Sequence, residues 1–180
     1  MIRLSWDKYF LKIAEATALR SACLSNQKGC IIVRNNQIIS SGYSGPPSRI
    51  PHCEWRDEHG RYMVNPDQDS LNVLGDFQPI YKCPRHRAGF HSGEGLEICP
   101  SVHAEANAII QASKNGISTV GSTLYTSFRE IPCRECAKLI INAGILEVVS
   151  NGQPMVYAQP GMTGEHLLKM AKIEVIDGTR

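Results

Sequence analysis

The chain of 180 residues is long enough for one globular domain with its own core, since domains typically hold roughly 100–200 residues. Hydrophobic residues make up 42% and charged residues 20%, which excludes a disordered or fibrous chain. The formal net charge of +2 provides no overall field that would draw the protein to nucleic acid or to a membrane surface, so neither is expected as a partner.

The first part of the chain predicts a helix followed by a β-hairpin. Apolar residues at helical spacing follow the potential N-cap Ser5 and predict a helix from Trp6 to about Arg20. Two β-branched runs come next, and Asn35-Asn36 between them tolerates the positive φ of a tight turn. The predicted strands are Gly29–Arg34 and Gln37–Ser41.

The stretch from Tyr43 to Cys99 shows no periodicity. It holds six of the ten prolines, four of the six histidines and three of the seven cysteines. An irregular segment of this length inside a compact domain requires something to tie it down, and a metal ion would do so.

Regular elements return after this stretch. They are a helix over 103–112 ended by Asn115-Gly116, a strand over 122–127, a helix over 134–143 ended by Gly144, a strand over 147–150, a helix over 165–171 and a strand over 173–176. Two leading strands followed by alternating helices and strands predict a three-layer α/β fold, with a five-stranded mixed sheet and helices on both faces. We expect residues 1–180 to form a single domain with an insertion at about residues 43–100.

The cysteines direct attention to metal binding. Their odd number does not fit a secreted disulfide framework, and Asp7 and Lys8 lie where a signal peptide would need apolar residues, so we expect a cytoplasmic protein. Cys133 and Cys136 are spaced to converge on one ion at a helix start, and His103 would be a third ligand. Three protein ligands leave a fourth position for water, as in a catalytic zinc site.

Glu105 follows two residues after His103. From a helix start it can reach the open coordination position without being a ligand, and can carry protons between water and a substrate. Taken singly, the residues have other interpretations: a redox pair for the cysteines, a helix-start histidine, and a glutamate that interacts with the helix dipole. The combined His-x-Glu and Pro-Cys-x-x-Cys pattern is the signature of zinc-dependent cytidine and adenosine deaminases.

Over nearly its whole length the chain resembles the deoxycytidylate (dCMP) deaminases, especially those of phage and microbial type. The matching segments are 20–23, 39–47, 83–85, 92–96, 99–109 and 132–138. The resemblance implies zinc-dependent hydrolysis of dCMP to dUMP and ammonia, with Glu105 protonating N3 and then the departing amine. It implies location in the cytoplasm, that of the host if the chain is of phage origin.

The resemblance also implies substrate contacts. Backbone groups of Ala104 and of the turn around Ile131 would hydrogen-bond the base. Asn35 matches a ribose-contacting asparagine, although a turn role is an equal alternative. Relatives hold the 5′-phosphate with a tyrosine after the fourth strand, where this chain has Ser150, so Tyr157 is the candidate.

A second, structural zinc is the next expectation. Cys30 lies in an apolar strand and is interpreted as a buried, inert thiol. The remaining thiols would form a closed tetrahedral site, as relatives often have. These ligands are Cys23, Cys53, Cys83 and Cys99, with His86 and His91 as rivals. Scattered buried cysteines are the alternative.

By resemblance the protein would be a homo-oligomer, commonly a hexamer, activated by dCTP and inhibited by dTTP. The effector loop would be Gly42-Tyr43-Ser44-Gly45, where Ser44 replaces the usual Asn; a tight turn is the alternative. Three other functions stay open: deamination of another nucleoside or nucleotide such as 5-substituted dCMP, deamination of a base in a polynucleotide, and a non-catalytic zinc module.

Overall fold

The computed structural model describes residues 3–50, 52–53, 83–91, 94–154 and 161–180. These residues divide into two compact units. The first unit contains the described residues of Met1–Ser21, Lys28–Tyr43 and His103–Arg180, and the second those of Ala22–Gln27 and Ser44–Val102. The expectation of a single domain with an insertion at about residues 43–100 stays a prediction.

The first unit is built on a five-stranded mixed sheet, as predicted. Its strands are β1 (Gly29–Arg34), β2 (Gln37–Tyr43), β3 (Thr123–Thr126), β4 (Glu147–Ser150) and β5 (Glu174–Asp177), in the order β2-β1-β3-β4-β5. The strand β1 pairs antiparallel with β2 and β3, whereas β3, β4 and β5 run parallel. The carboxyl ends of β3 and β4 therefore lie at the same edge of the sheet as the amino end of β1.

Five α-helices are present among the described residues: α1 (Trp6–Ala18), α2 (Pro84–Arg87), α3 (Ala104–Lys114), α4 (Arg134–Asn142) and α5 (Gly164–Met170). The N-terminal cap predicted for α1 and the C-terminal glycines predicted for α3 and α4 are confirmed. The Ser5 side chain accepts a hydrogen bond from Lys8 N at 3.3 Å. Gly116 and Gly144 follow α3 and α4 with positive φ values of 66° and 69°, which glycine adopts without strain.

Alternation along the strands produces two cores, one on each face of the sheet. Cys30 and Ile32 face one side with residues of α3, α4 and α5, while Ile31 and Val33 face the other with residues of α1. Helices therefore cover both faces, which confirms the three-layer prediction. Cys30 is fully buried, and burial raises the pKa of its thiol well above the ordinary value, which agrees with an inert thiol.

The second unit contains α2 and a 3₁₀ helix over Leu96–Ile98. Gly45 and Val102 form an antiparallel bridge with backbone hydrogen bonds of 3.2 and 2.8 Å. Within the described part of the chain, no helix has the length and apolar character required to span a membrane.

Candidate metal centre

Three potential metal ligands converge in the first unit. His103 Nδ1 lies 3.4 Å from the Sγ atoms of both Cys133 and Cys136, and the three ligand atoms all lie within 4.8 Å of one another. Among the described residues, no other set of three or more His, Cys, Asp or Glu ligand atoms is this close. One imidazole nitrogen and two sulfurs suit zinc, and three protein ligands are the number typical of a catalytic site.

Helix starts position these ligands. His103 and Cys133 are the N-caps of α3 and α4, with extended backbones of φ −67°, ψ 152° and φ −63°, ψ 166°. Cys136 lies one turn into α4 and is buried. The positive ends of two helix dipoles therefore act on the cluster and favour thiolates there.

The electrostatics of the cluster favour a thiolate at Cys133. A hydrogen bond with the Cys136 thiol is the largest cause that lowers the pKa of Cys133, and the His103 ring contributes as well; the resulting pKa is about 4. The same hydrogen bond and burial raise the pKa of Cys136. A hydrogen bond to Cys133 raises the pKa of His103. Since metals bind the deprotonated sulfur, the lowered pKa of Cys133 favours the form that a zinc ion requires.

Glu105 lies in the first turn of α3 and is only 3% exposed. Burial raises the pKa of its carboxyl group above the ordinary value, and the neighbouring charge of His103 opposes that rise. The charge of Cys133 also acts on this carboxyl group, and the charge of Glu105 acts on Cys136, so Glu105 lies within electrostatic range of all three ligands. A buried carboxyl group beside three potential metal ligands is suited to proton transfer.

Of the residues expected to contact substrate, two lie close to metal ligands in the chain and one lies in the β1–β2 turn. Ala104 is buried at the start of α3, and Ile131 packs partly buried against the core between β3 and Cys133. Asn35 and Asn36 form the β1–β2 turn, with φ values of 52° and 58°. Asn35 follows β1 at the end opposite to Gly29, and its contact with a ribose stays a prediction beside its role in the turn. Tyr157 lies outside the described residues.

The expected effector loop has structural roles in both units. A Cβ atom at Gly42 would lie 2.5 Å from Ala104 O and would overlap Ala108 N, so the close approach of α3 requires a glycine here. Effector binding at this loop stays a prediction. Tyr43 is 40% exposed, and its carbonyl accepts a hydrogen bond from Asn107 Nδ2 at 2.8 Å. In the second unit, the buried Ser44 hydroxyl donates to Asn26 O at 3.0 Å, and Gly45 is held by its bridge to Val102.

The four cysteines expected to hold a second zinc all belong to the second unit: Cys23, Cys53, Cys83 and Cys99. Cys53 and Cys83 are buried, and Cys23 and Cys99 are half-buried. No three of them, with or without the rivals His86 and His91, lie close enough to form a metal site in the described structure. His86 Nε2 instead lies 3.3 Å from Ser25 Oγ. The second site stays a prediction.

One charged group near the cluster was missed from the sequence. Lys28 Nζ lies 3.2 Å from Glu130 Oε1 and 4.3 Å from the centre of the Phe128 ring. Its positive charge lowers the pKa of Glu105. The ion pair between Lys28 and Glu130 forms because the start of β1 lies antiparallel to the end of β3. At that point Ser127 N donates a hydrogen bond to Gly29 O at 2.9 Å. No short motif signals such a contact.

Comparison with known proteins agrees with this geometry. Residues 4–151 match the family described as "Cytidine and deoxycytidylate deaminase zinc-binding region". The chain is 33% identical to the deoxycytidylate deaminase of Schizosaccharomyces pombe and 31% identical to that of Saccharomyces cerevisiae, over 82% and 96% of its length. It spans only 37% and 43% of those two proteins.

A phage relative has a length similar to that of the chain. The deoxycytidylate deaminase of Mycobacterium phage D29 is 32% identical over 83% of this chain and 96% of its own. Among solved structures, the dCMP deaminase of cyanophage S-TIM5, in complex with dCMP and dUMP, superposes with a TM-score of 0.63 at 23% identity. That alignment covers 98% of this chain and 99% of the cyanophage protein, so the two share one fold.

Proposed function

Because the chain belongs to the family of cytidine and deoxycytidylate deaminases defined by their zinc-binding region, we propose that it hydrolyses dCMP to dUMP and ammonia. The observation that carries the proposal is the convergence of His103, Cys133 and Cys136 beside the buried carboxyl group of Glu105. The relatives named deoxycytidylate deaminase support dCMP as the substrate. The dUMP produced would supply thymidylate synthesis, and cytoplasmic location stays a prediction.

His103, Cys133 and Cys136 would hold the metal, and the two helix starts orient them. A zinc ion bound there would act as a Lewis acid and lower the pKa of a water molecule in its remaining position. Glu105 accepts the proton that the attacking water loses, because its carboxyl group is buried beside the ligands. In the hydrolysis a C4–O bond forms, and Glu105 delivers the first proton of the water to N3. Glu105 then takes the second proton from the hydroxyl group on C4 and delivers it to the amine as the C4–N4 bond breaks.

Backbone groups orient the base. The turn containing Ile131 and the start of α3 at Ala104 border the ligands on two sides. The backbone groups of the turn and the N–H of Ala104, which has no partner within the helix, are therefore available to the cytosine edge. Ala104 is buried, and Ile131 packs partly buried against the core. Such positioning raises the rate because the reacting atoms are held in contact before the reaction begins.

The decisive experiment measures ammonia release from dCMP by the zinc-loaded protein and by Glu105→Gln. Since one carboxylate serves both proton transfers, we expect the variant to keep its zinc and its melting temperature and to lose about 10³-fold or more in kcat. Glu165→Gln, in the first turn of α5, is the matched control and should retain full activity. Near-normal turnover by Glu105→Gln would refute the assignment of Glu105.

The substrate panel decides between dCMP and the alternatives. It contains dCMP, 5-substituted dCMP, deoxycytidine and a cytosine-containing oligonucleotide. Preference for the oligonucleotide would favour polynucleotide deamination, and zinc binding without any ammonia release would favour an interaction module.

The second zinc is proposed on the chemistry of the second unit. Four cysteines share this unit, and two of them are buried. Arg85, two residues after Cys83, is only 8% exposed and its Nε has no hydrogen-bond partner. A buried cation of this kind would offset the negative charge of a thiolate site. We expect metal analysis of the purified protein to find two zinc ions per chain. A content of one zinc ion per chain would contradict the second site.

Assembly and regulation are proposed from the resemblance alone. We expect a homo-oligomer, commonly a hexamer, with dCTP activating and dTTP inhibiting through Gly42-Tyr43-Ser44-Gly45. Light scattering measures the mass, and dCMP saturation curves with and without each nucleotide measure the regulation. A monomer with hyperbolic curves that neither nucleotide changes would contradict this part.

A further inference from the structure

Arg129 is an exposed cation in the turn that connects β3 to the metal ligands. Among the described residues it makes no hydrogen bond or ion pair. The basic side chains that lie near it in sequence or in the sheet all have acidic partners: Lys28 with Glu130 at 3.2 Å, Arg134 with Glu135 at 3.3 Å, and Arg180 with Asp177 at 3.4 Å. The charge of Arg129 is therefore available to a ligand.

The stem of Arg129 is held in place by Gly152. A Cβ atom at Gly152 would lie 2.7 Å from Cδ and 3.2 Å from Cγ of Arg129, so the arginine fills the space beside this glycine. Gly152 also has a φ of +112°, a conformation that other residues rarely adopt. The neighbouring backbones are joined by a hydrogen bond of 3.2 Å from Asn151 N to Phe128 O. An arginine whose stem is already packed loses less entropy when its guanidinium group binds a ligand.

This turn lies where a substrate of the metal centre would extend. It leaves the carboxyl end of β3, beside the parallel carboxyl end of β4, and ligands of α/β sheets bind at that edge. Arg129 lies four positions before Cys133 in the chain, so their Cα atoms are at most about 14 Å apart. Ser150 ends β4 at the same edge and is fully buried. Its Oγ atom lies 2.7 Å from Gly152 O and 2.9 Å from Ile176 O, so the hydroxyl group is already hydrogen-bonded to the backbone.

We propose that Arg129 binds the 5′-phosphate of the nucleotide substrate and makes the enzyme selective for the monophosphate over the nucleoside. The inference rests on the proposed function, because it places the cytosine ring at His103, Cys133 and Cys136. A guanidinium group offers two parallel N–H donors that match two phosphate oxygens, and a lysine offers only a point charge. Arg129 is thus a substrate-binding residue whose contribution depends on the phosphate group.

The test compares dCMP with deoxycytidine in the zinc-loaded wild type, Arg129→Ala, Arg129→Lys and Arg34→Ala. Arg34 is the matched control, since its guanidinium group lies at the other end of β1 and donates to Ser118 O at 2.8 Å. We expect Arg129→Ala to lower kcat/KM for dCMP about 10- to 100-fold, mainly through KM, and to leave deoxycytidine turnover unchanged. Arg129→Lys should recover part of the loss, and Arg34→Ala should resemble the wild type.

The outcomes separate the inference from the proposed function. If the wild type deaminates dCMP and Arg129→Ala retains its KM, or loses dCMP and deoxycytidine turnover equally, the phosphate assignment is overturned and the function stands. If the wild type releases no ammonia from dCMP, the function fails. The phosphate assignment is then decided by calorimetry, which supports it only if the wild type binds dUMP at least tenfold more tightly than Arg129→Ala and overturns it otherwise.

Discussion

Substitution of Gly42 by alanine tests how closely α3 is held against the sheet. A Cβ atom at this position would lie 2.5 Å from Ala104 O and 2.8 Å from Ala108 Cα. Both neighbours are backbone atoms, so no side chain can rotate away to relieve the overlap. The helix itself has to move, and α3 begins directly after His103 and contains Glu105.

The magnitude follows from the distances. Non-bonded carbon atoms are at their optimum at about 3.5–4.0 Å, so the helix and the strand must separate by about 1 Å. Overpacking of this kind costs typically 1–3 kcal/mol, and we expect about 3 kcal/mol here because only backbone can yield. For a chain of this size the melting temperature should fall by roughly 6 to 12 °C. A displacement of about 1 Å at the site should also lower kcat/KM for dCMP about 10²-fold.

The assay combines thermal unfolding, zinc content and ammonia release on the same preparation. Ser41→Ala is the matched control, because Ser41 neighbours Gly42 on β2 and is exposed. We expect the control to unfold and react like the wild type. If Gly42→Ala matched the control in melting temperature and in kcat/KM, the argument that helix α3 depends on this close approach would be refuted.

Three further predictions concern metal and stability. Cys99→Ser should lower the zinc content from two ions to one per chain and lower the melting temperature, since metal binding is coupled to folding; unchanged content would contradict the second site. Tyr125→Phe removes a hydrogen bond of 2.7 Å to Asp7 Oδ1 and should lower the free energy of unfolding by about 1 to 2 kcal/mol in urea titrations, whereas Tyr9→Phe on the exposed side of α1 should not. A chelator should abolish ammonia release and added zinc should restore it; activity that survives verified zinc removal would exclude a catalytic metal.

Local signals predicted those elements that local interactions determine. The strand β1 has the predicted bounds Gly29–Arg34, and the turn residues Asn35 and Asn36 both have the positive φ that their types tolerate. The strand β2 continues two residues beyond the prediction, to Tyr43, because Tyr43 pairs with Gly29 across the hairpin. Glycine in a strand lowers its local propensity, so only the pairing partner reveals that Gly42 belongs to it.

The metal ligands were predictable because each lies in a short motif at a helix start. The role of Asn35 could not be predicted, since an asparagine in a turn and an asparagine that contacts a ribose look identical in a single sequence. Arg129 was missed for a related reason. An exposed arginine has no periodicity, and its packing against Gly152 arises from the parallel pairing of β3 and β4, which brings together segments more than 20 residues apart. Local sequence patterns do not reveal which strands pair in the tertiary structure.

The strand β2 determines where helix α3 lies. Ser40 Oγ donates to Ala108 O at 2.6 Å, Asn107 Nδ2 donates to Tyr43 O at 2.8 Å, and Gly42 lets the two backbones approach. These contacts hold α3 at both its first and its middle turn. Any ligand that bound at Tyr43 and shifted the end of β2 would therefore shift α3, and with it the spacing of His103 and Glu105. Packed backbones transmit such shifts because they have no room to absorb them. If the proposed effectors bind at Tyr43, the Gly42→Ala variant and the nucleotide titrations would probe the same contact between β2 and α3.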